Sequence, residues 1–433
     1  MSSVEVGEVL GAGSAGATST GTSARVSGNG RAGSLGVDEQ PSTQAAAITR
    51  HTTTTWAGTY RRVKQGAWIL ALACACHRAT PATRDASTAH QHANVVAPAT
   101  NATALGPLPD ASRRVLFASK QDEPPTIFGG VTKDAQGQHY LTSNERGLHA
   151  FEPTIRARGG GYLGVGTDQG YLLVGWARSE FAWFVDYDPM VAELHGVYRA
   201  LIIAAETPED FLALWAKDGK SDAHAAIDLH APSDTRAELR TLYRKQRVVV
   251  AKRLVETVAT MAAVGVPCWL DDAEQYDHVR DLVRHGRTRA MLVDLAGDHG
   301  LAGIGKAATA AGLEIDVVYL SNAEEYWRLY PSKFRRELVA LPMPDDAVVL
   351  RTLLIWHVNR DYRYNVQRAD NLRAWFAQPW VGNVYHVTYQ RPVADPAGLN
   401  LFEVTAWPDD APSALRAAAK RKIRELVAEG FGT

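Results

Sequence analysis

Four short stretches place polar residues at the ends of apolar runs. In "YLGVGTDQG" an apolar run from Tyr162 gives way to Gly164, Gly166, Thr167, Asp168 and Gln169. Glycine there lets the backbone turn sharply and approach a ligand closely. In "FAWFVDYDP" a second run ends in Asp186 and Asp188, with Asp186 twenty positions after Gly166. That separation suits a carboxylate that accepts hydrogen bonds from both hydroxyls of a ribose. "RAMLVDLAGDH" ends in Asp294, Asp298 and His299, and "DVVYLSNAEEYW" carries Ser321, Asn322, Glu324 and Glu325. Structural roles compete at each place. The glycines suit a plain strand-to-helix turn, Asp186 and Asp188 suit helix N-caps, and Asn322 with Glu325 has the letters of a capping box.

The elements that would position these residues alternate. "GGYLGV", "FAWFVD", "RAMLVDLAG", "IDVVYLSN" and "AVVLRTLLIW" read as strands, apolar enough to be covered on both faces. Between them "DQGYLLVGWARSE", "PMVAELHGVYRALIIAAE", "TPEDFLALW", "DDAEQYDHVRDLVRHG" and "LAGIGKAATAAG" read as helices, with Thr207 capping the third. A long helix is expected over "TRAELRTLYRKQRVVVAKRLVETVATMAAVG". Thr235 and Glu238 form its capping box, Leu239, Leu242, Val249, Val258 and Met261 its apolar stripe, and Gly265 its stop. "ADNLRAWFAQ" is helical, and "NVYHVTYQ" with "LNLFEVTAW" is expected to close the sheet as an antiparallel pair. Such alternation implies an α/β, Rossmann-like fold: a mostly parallel sheet with helices on both faces. Ligands of such sheets bind beyond the carboxyl ends of the strands, where the polar residues above fall.

Other chemistry fits less well. "GLAGIGKA" nearly matches a phosphate-binding loop, but Ala307 stands where a magnesium-binding hydroxyl is needed. His278 and His285 are too far apart to chelate a metal together; His285, just before Gly286, suits a helix C-terminus. Cys268 reads as a buried apolar residue, "RKQR" around Arg244 as a solvated helix face, and no nucleophile elbow of a hydrolase is present. No metal site is expected.

The 433 residues suffice for a sizeable core, with 46% hydrophobic and 21% charged residues. Lysine plus arginine (46) nearly equals aspartate plus glutamate (47), so net charge gives no reason to expect a nucleic-acid partner. Three cysteines cannot build a disulfide framework. Residues 1–60 are low-complexity sequence, rich in Gly, Ser, Ala and Thr, expected to be disordered or to lie outside the natural protein. Residues 61–76 ("RRVKQGAWILALACAC") have the basic, apolar, small-residue order of a secretory signal peptide. Cys74 or Cys76 there resembles the acylated cysteine of bacterial lipoproteins, and a start at Val63 would bring the leader near the N-terminus. An incidental apolar patch in a loose tail is the alternative. Residues 77–112, including the histidines of "HQH" at 90–92, read as a tether. A single domain is expected over residues 113–433.

Over about Gly159 to Pro408 the layout resembles the class I S-adenosylmethionine-dependent methyltransferases, and a group of uncharacterised bacterial proteins with similar "GVGxDQ" and "YLSNAEEY" stretches. By that resemblance Gly166 and Gly170 match cofactor-loop glycines, Asp186 the ribose-binding acid, and Ser321–Asn322 the polar motif after the fourth strand. It implies S-adenosylmethionine, or a related adenosyl compound, as the small-molecule ligand. Gly164, Gly166, Asp168, Gln169, Asp186, Asp188, Asp294 and Ser321 would contact it, with Asn322 and Glu324 nearest the chemistry. The chain departs from the family at Gly164, where an acid is usual, and at Asp168, where glycine is usual. An acid at Asp168 would suit the methionine ammonium and repel a pyrophosphate. A lipid anchor implies the cell envelope, whereas S-adenosylmethionine is made in the cytoplasm. The alternatives are therefore a cytoplasmic enzyme, or an envelope protein that uses a degenerate pocket to bind a small molecule or protein. The sequence leaves the oligomeric state open.

Overall fold

The computed structural model describes residues 105–126, 137–355, 360–390 and 401–431. The segments read as low-complexity sequence and leader, with Cys74 and Cys76, lie outside the described residues, as does most of the tether. Its last residues are described, and helix α1 (Asp110–Leu116) crosses the boundary set at residue 112.

Seven strands form one sheet in the order β3-β2-β1-β4-β5-β6-β7. Strands β1 (Gly161–Val165), β2 (Phe181–Asp186), β3 (Thr288–Leu292), β4 (Ile315–Tyr319) and β5 (Val348–Leu354) pair in parallel. β6 (Tyr362–Arg368) runs antiparallel to β5, and β7 (Leu401–Glu403) pairs in parallel with β6. The chain winds from β1 to β2 to β3, then crosses back to place β4 on the other side of β1. The gap between β1 and β4 is therefore the point where connection direction reverses.

The sequence predicts β1 to β5 because each is an apolar run of strand length. Alternate residues face opposite cores: Tyr162 and Phe184 pack on one side, Leu163, Trp183 and Val185 on the other. The first side is covered by α3 (Asp168–Ala177), α4 (Pro189–Ala204), α5 (Pro208–Trp215), α6 (Lys220–His230), α7 (Arg236–Val264) and α8 (Ala273–Arg284). α1, α9 (Gly300–Ala311), α10 (Ser332–Val339), α11 (Ala369–Phe376) and α13 (Ser413–Ala428) supply residues to the second. Among the described residues α2 (Glu152–Ile155) and α12 (Val384–Val387) are single α-helical turns.

Three local expectations are corrected. The antiparallel pair exists, but it is β5 with β6. "NVYHVTYQ" instead forms α12, where Asn383 caps the helix by accepting from Tyr385 N. "YRYNVQR" was not recognisable as a strand because its polar residues look solvent-facing. They are buried: Arg363, Asn365 and Gln367 bond to one another's neighbourhood, with Arg351 Nη1 donating to Gln367 Oε1 at 2.7 Å and Arg363 Nε to Asn365 Oδ1 at 3.0 Å. Thr235 does precede α7, but its hydroxyl donates to Pro232 O and makes no capping box; that motif occurs at Thr207 and Asp210. The stripe of α7 holds at Leu239, Leu242, Val258 and Met261 and departs at one position, where Val250 is buried and Val249 is 52% exposed.

Candidate functional site

At the carboxyl ends of the strands, over the β1–β4 reversal, lies a cavity of about 520 Å³. Gly166, Thr167 and Gln169 line it after β1, Asp186, Tyr187 and Asp188 after β2, Asp294 after β3, and Ser321 and Asn322 after β4. Residues of the segment before β1, from Gln138 to Glu145, complete the wall together with Tyr326, Trp327, Leu354 and Tyr362.

The turn after β1 is built around one conformation. Gly166 has φ +96°, and a Cβ there would lie 1.9 Å from Gln169 Nε2. The Gln169 side chain folds back onto this turn, donating to Val165 O at 3.2 Å and accepting from Thr167 N at 3.2 Å. His195 of α4 supports it from behind. Burial pushes this imidazole down to about 4, so it is neutral at pH 7. Its Nε2 therefore donates to Gly166 O at 3.0 Å, while Nδ1 accepts from the Tyr171 hydroxyl at 3.0 Å. Thr167 Oγ1 is buried in this wall and has no hydrogen-bond partner among the described residues. A buried hydroxyl in that state costs about 1–3 kcal/mol.

Asp186 closes β2. Burial raises its pKa from 3.8 to about 7, and the nearby Asp188 adds to this; the backbone N–H groups of Asp188, Tyr187 and Gly166 oppose it. It is therefore not a helix cap: its Oδ1 accepts from Asp188 N at 2.9 Å. Asp188 is the cap of α4, accepting from Met190 N at 2.9 Å, with His139 Nδ1 2.7 Å from its other oxygen.

Several nominated residues are not brought into the cavity. Gly164 does not line it. A Cβ at Gly164 would meet the Tyr162 hydroxyl at 2.0 Å, so this glycine makes room for a neighbouring core side chain. Asp168 faces away, accepting from Ser143 N at 2.7 Å and from Arg253 Nε of α7 at 2.8 Å. An ion pair with a ligand ammonium, expected for it above, is thus already supplied by the protein. Glu324 is 1% exposed and bonds to Arg351 Nε at 2.5 Å and the Tyr330 hydroxyl at 2.6 Å. Its role is to neutralise a buried arginine. Glu325 lies outside the cavity as well and accepts from Leu354 N and the Tyr385 hydroxyl. Asn322 makes no side-chain cap, so the capping box expected there is absent. Asp298 pairs with Lys333 on the exterior.

No motif or spacing marks Glu145, which is 3% exposed in the cavity wall. Its Oε1 accepts from Tyr319 at 2.5 Å, Thr352 at 2.8 Å and Ser321 at 3.0 Å, and its Oε2 from Ser143 at 2.5 Å. These donors come from β4, β5 and the entering segment, so only the sheet's register unites them. Ser321 adopts φ +50° to reach this position.

The wall as a whole carries four carboxylic acids (Glu145, Asp186, Asp188 and Asp294), five aromatic residues (Tyr140, Tyr187, Tyr326, Trp327 and Tyr362), and no lysine or arginine among the described residues. Acids and ring faces together attract cations. Phosphate would meet carboxylates and, among the described lining residues, no lysine or arginine. Among the described residues no cluster of His, Cys, Asp and Glu could hold a metal, and no helix is long and apolar enough to cross a membrane.

A search of curated proteins finds no match to the chain. A family model described as a domain of unknown function (DUF7790) matches residues 140–401, which takes in β1 to β6, the first residue of β7 and almost all of the cavity wall. That span is more than half of the chain, and the protein belongs to the DUF7790 family.

Proposed function

We propose that the cavity binds S-adenosylmethionine or a closely related cationic adenosyl compound, and that the protein is methyltransferase-like. The observation that carries this is the pairing of a glycine turn after β1 with the acid of β2, Asp186, in a wall of carboxylates and aromatic rings with no lysine or arginine among the described residues. Asp186 would accept the ribose hydroxyls, and the rings of Tyr187, Tyr326 and Trp327 would flank the adenine or the positive charge. The size fits, since drug-sized ligands occupy cavities of roughly 300–1,000 Å³. Bound there, the sulfonium would offer a methyl group, and the protein would mainly orient donor and acceptor. Of the two residues expected nearest the chemistry, Asn322 lines the cavity and Glu324 does not.

A second reading is favoured by one observation. Glu324 and Asp168 are both committed to buried arginines, which leaves neither available as a general base. In that reading the pocket binds its ligand without turnover, as in an envelope protein anchored through Cys74 or Cys76.

The test is thermal stabilisation by a ligand panel. S-adenosylmethionine and S-adenosylhomocysteine should raise Tm, with about 2.7 kcal/mol of stabilisation at a hundred times Kd. ATP and NAD should not. Stabilisation by the phosphate-bearing ligands alone would refute the proposal. Binding without methyl transfer to any acceptor would favour the second reading.

A further inference from the structure

The residues before the family domain form a strap that ends beside the cavity. Arg289 of β3 donates to Leu116 O at 2.8 Å and Ser119 Oγ at 2.6 Å. Asp122 N then donates to Leu292 O at 3.0 Å, and Leu292 N to Gln121 Oε1 at 2.6 Å, so the strap covers the edge of β3. Asp122 is only 8% exposed. Its carboxylate accepts from three backbone N–H groups of the β3–α9 loop: His299 at 2.8 Å, Gly300 at 3.0 Å and Asp294 at 3.2 Å.

The loop sequence is shaped for this contact. A Cβ on Gly297 would lie 2.5 Å from Asp122 Cγ, and one on Gly300 would lie 2.5 Å from Asp122 Oδ2. A Cβ on Gly303 would lie 2.8 Å from Ser119 Cβ. Three glycines, each three residues apart, therefore clear a path for the strap. This accounts for the stretch that resembles a phosphate-binding loop: its helix N-terminus already holds a carboxylate from the same chain.

From this geometry we infer that Asp122, outside the matched family domain, is a positioning residue of the candidate site. It acts through Asp294, whose backbone it anchors in the cavity wall. The inference rests on the proposed adenosyl ligand for its binding consequence, and on the loop contacts alone for its structural one.

The test uses the full chain, with S-adenosylhomocysteine titrated into wild type, Asp122→Ala, Gly300→Ala, Asp294→Ala and the Asp122→Ala/Asp294→Ala pair. The first two variants should each weaken binding at least tenfold. In the Asp294→Ala background the loss from Asp122→Ala should shrink to less than twofold, because the two act through one group. Added formate should restore affinity to Asp122→Ala and not to Gly300→Ala, where the carboxylate is displaced but present. Wild-type affinity in folded Asp122→Ala, or an equal loss in both backgrounds, would overturn the inference. Should wild type bind no adenosyl ligand, the functional proposal fails separately. Hydrogen exchange at Asp294, His299 and Gly300 then decides: faster exchange in Asp122→Ala supports the strap's role, and unchanged exchange overturns it.

Discussion

Asp186→Asn separates the cost of the site from its use. In the folded protein the carboxyl has a pKa near 7, against an ordinary 3.8. The fold thus favours the protonated form. Below pH 4 that preference contributes fully to stability; it is lost as pH rises through 7, because the unfolded chain then releases a proton that the native state retains. At about 1.36 kcal/mol per pH unit, the ceiling on this loss is about 4 kcal/mol. Water in the cavity lowers it, and a gain of about 1–3 kcal/mol is expected for the uncharged asparagine at pH 8. Its Oδ1 can still accept from Asp188 N, so the turn should survive. Denaturant unfolding of both proteins at pH 4.5 and pH 8 measures the effect. Equal stabilities at pH 4.5 and a more stable variant at pH 8 are predicted. A variant less stable at pH 8, or a difference independent of pH, would refute the raised pKa and its cause.

Removing the unpartnered hydroxyl in Thr167→Val should leave the unliganded protein as stable or up to about 1 kcal/mol more so by thermal melts, and a loss above about 1 kcal/mol would mean that the hydroxyl has a partner. Arg351→Met should destabilise by about 3–5 kcal/mol in urea, because it strands the Glu324 charge in the core; a change within about 1 kcal/mol would mean that Glu324 is not held by this pair. Trp327→Ala should weaken binding of S-adenosylmethionine more than of S-adenosylhomocysteine, which lacks the sulfonium charge, if the ring meets the sulfonium, and a titration of both ligands distinguishes this from general loss of packing. Affinity for either ligand should rise as pH goes from 6 to 8, since ribose donors prefer the ionised Asp186.

The parallel half of the sheet was legible because its strands are continuous apolar runs bounded by turns, and the polar residues at their ends mark one edge of the sheet. Asp186 and Gly166 could be nominated from spacing alone. Strand β6 was not legible, since Arg363, Asn365 and Gln367 are hydrogen-bonded inside the core and break the expected alternation. Helices α6, α10 and α13 were also not recognised, being polar over most of their surface. Glu145 was invisible for another reason: its four hydroxyl donors lie as many as 207 positions away, and only the folded sheet brings them together. Asp168 and Glu324 show the converse. Each has the right type and place in the sequence for a site residue, but a distant arginine, Arg253 or Arg351, takes its charge.

Calorimetric titration of S-adenosylmethionine into the wild-type chain and into Asp186→Ala tests the proposed cavity most directly. Micromolar binding to wild type, weakened at least a hundredfold in a folded Asp186→Ala, is the predicted result. Absence of binding to wild type at millimolar ligand, or equal affinity in the two proteins, would contradict it.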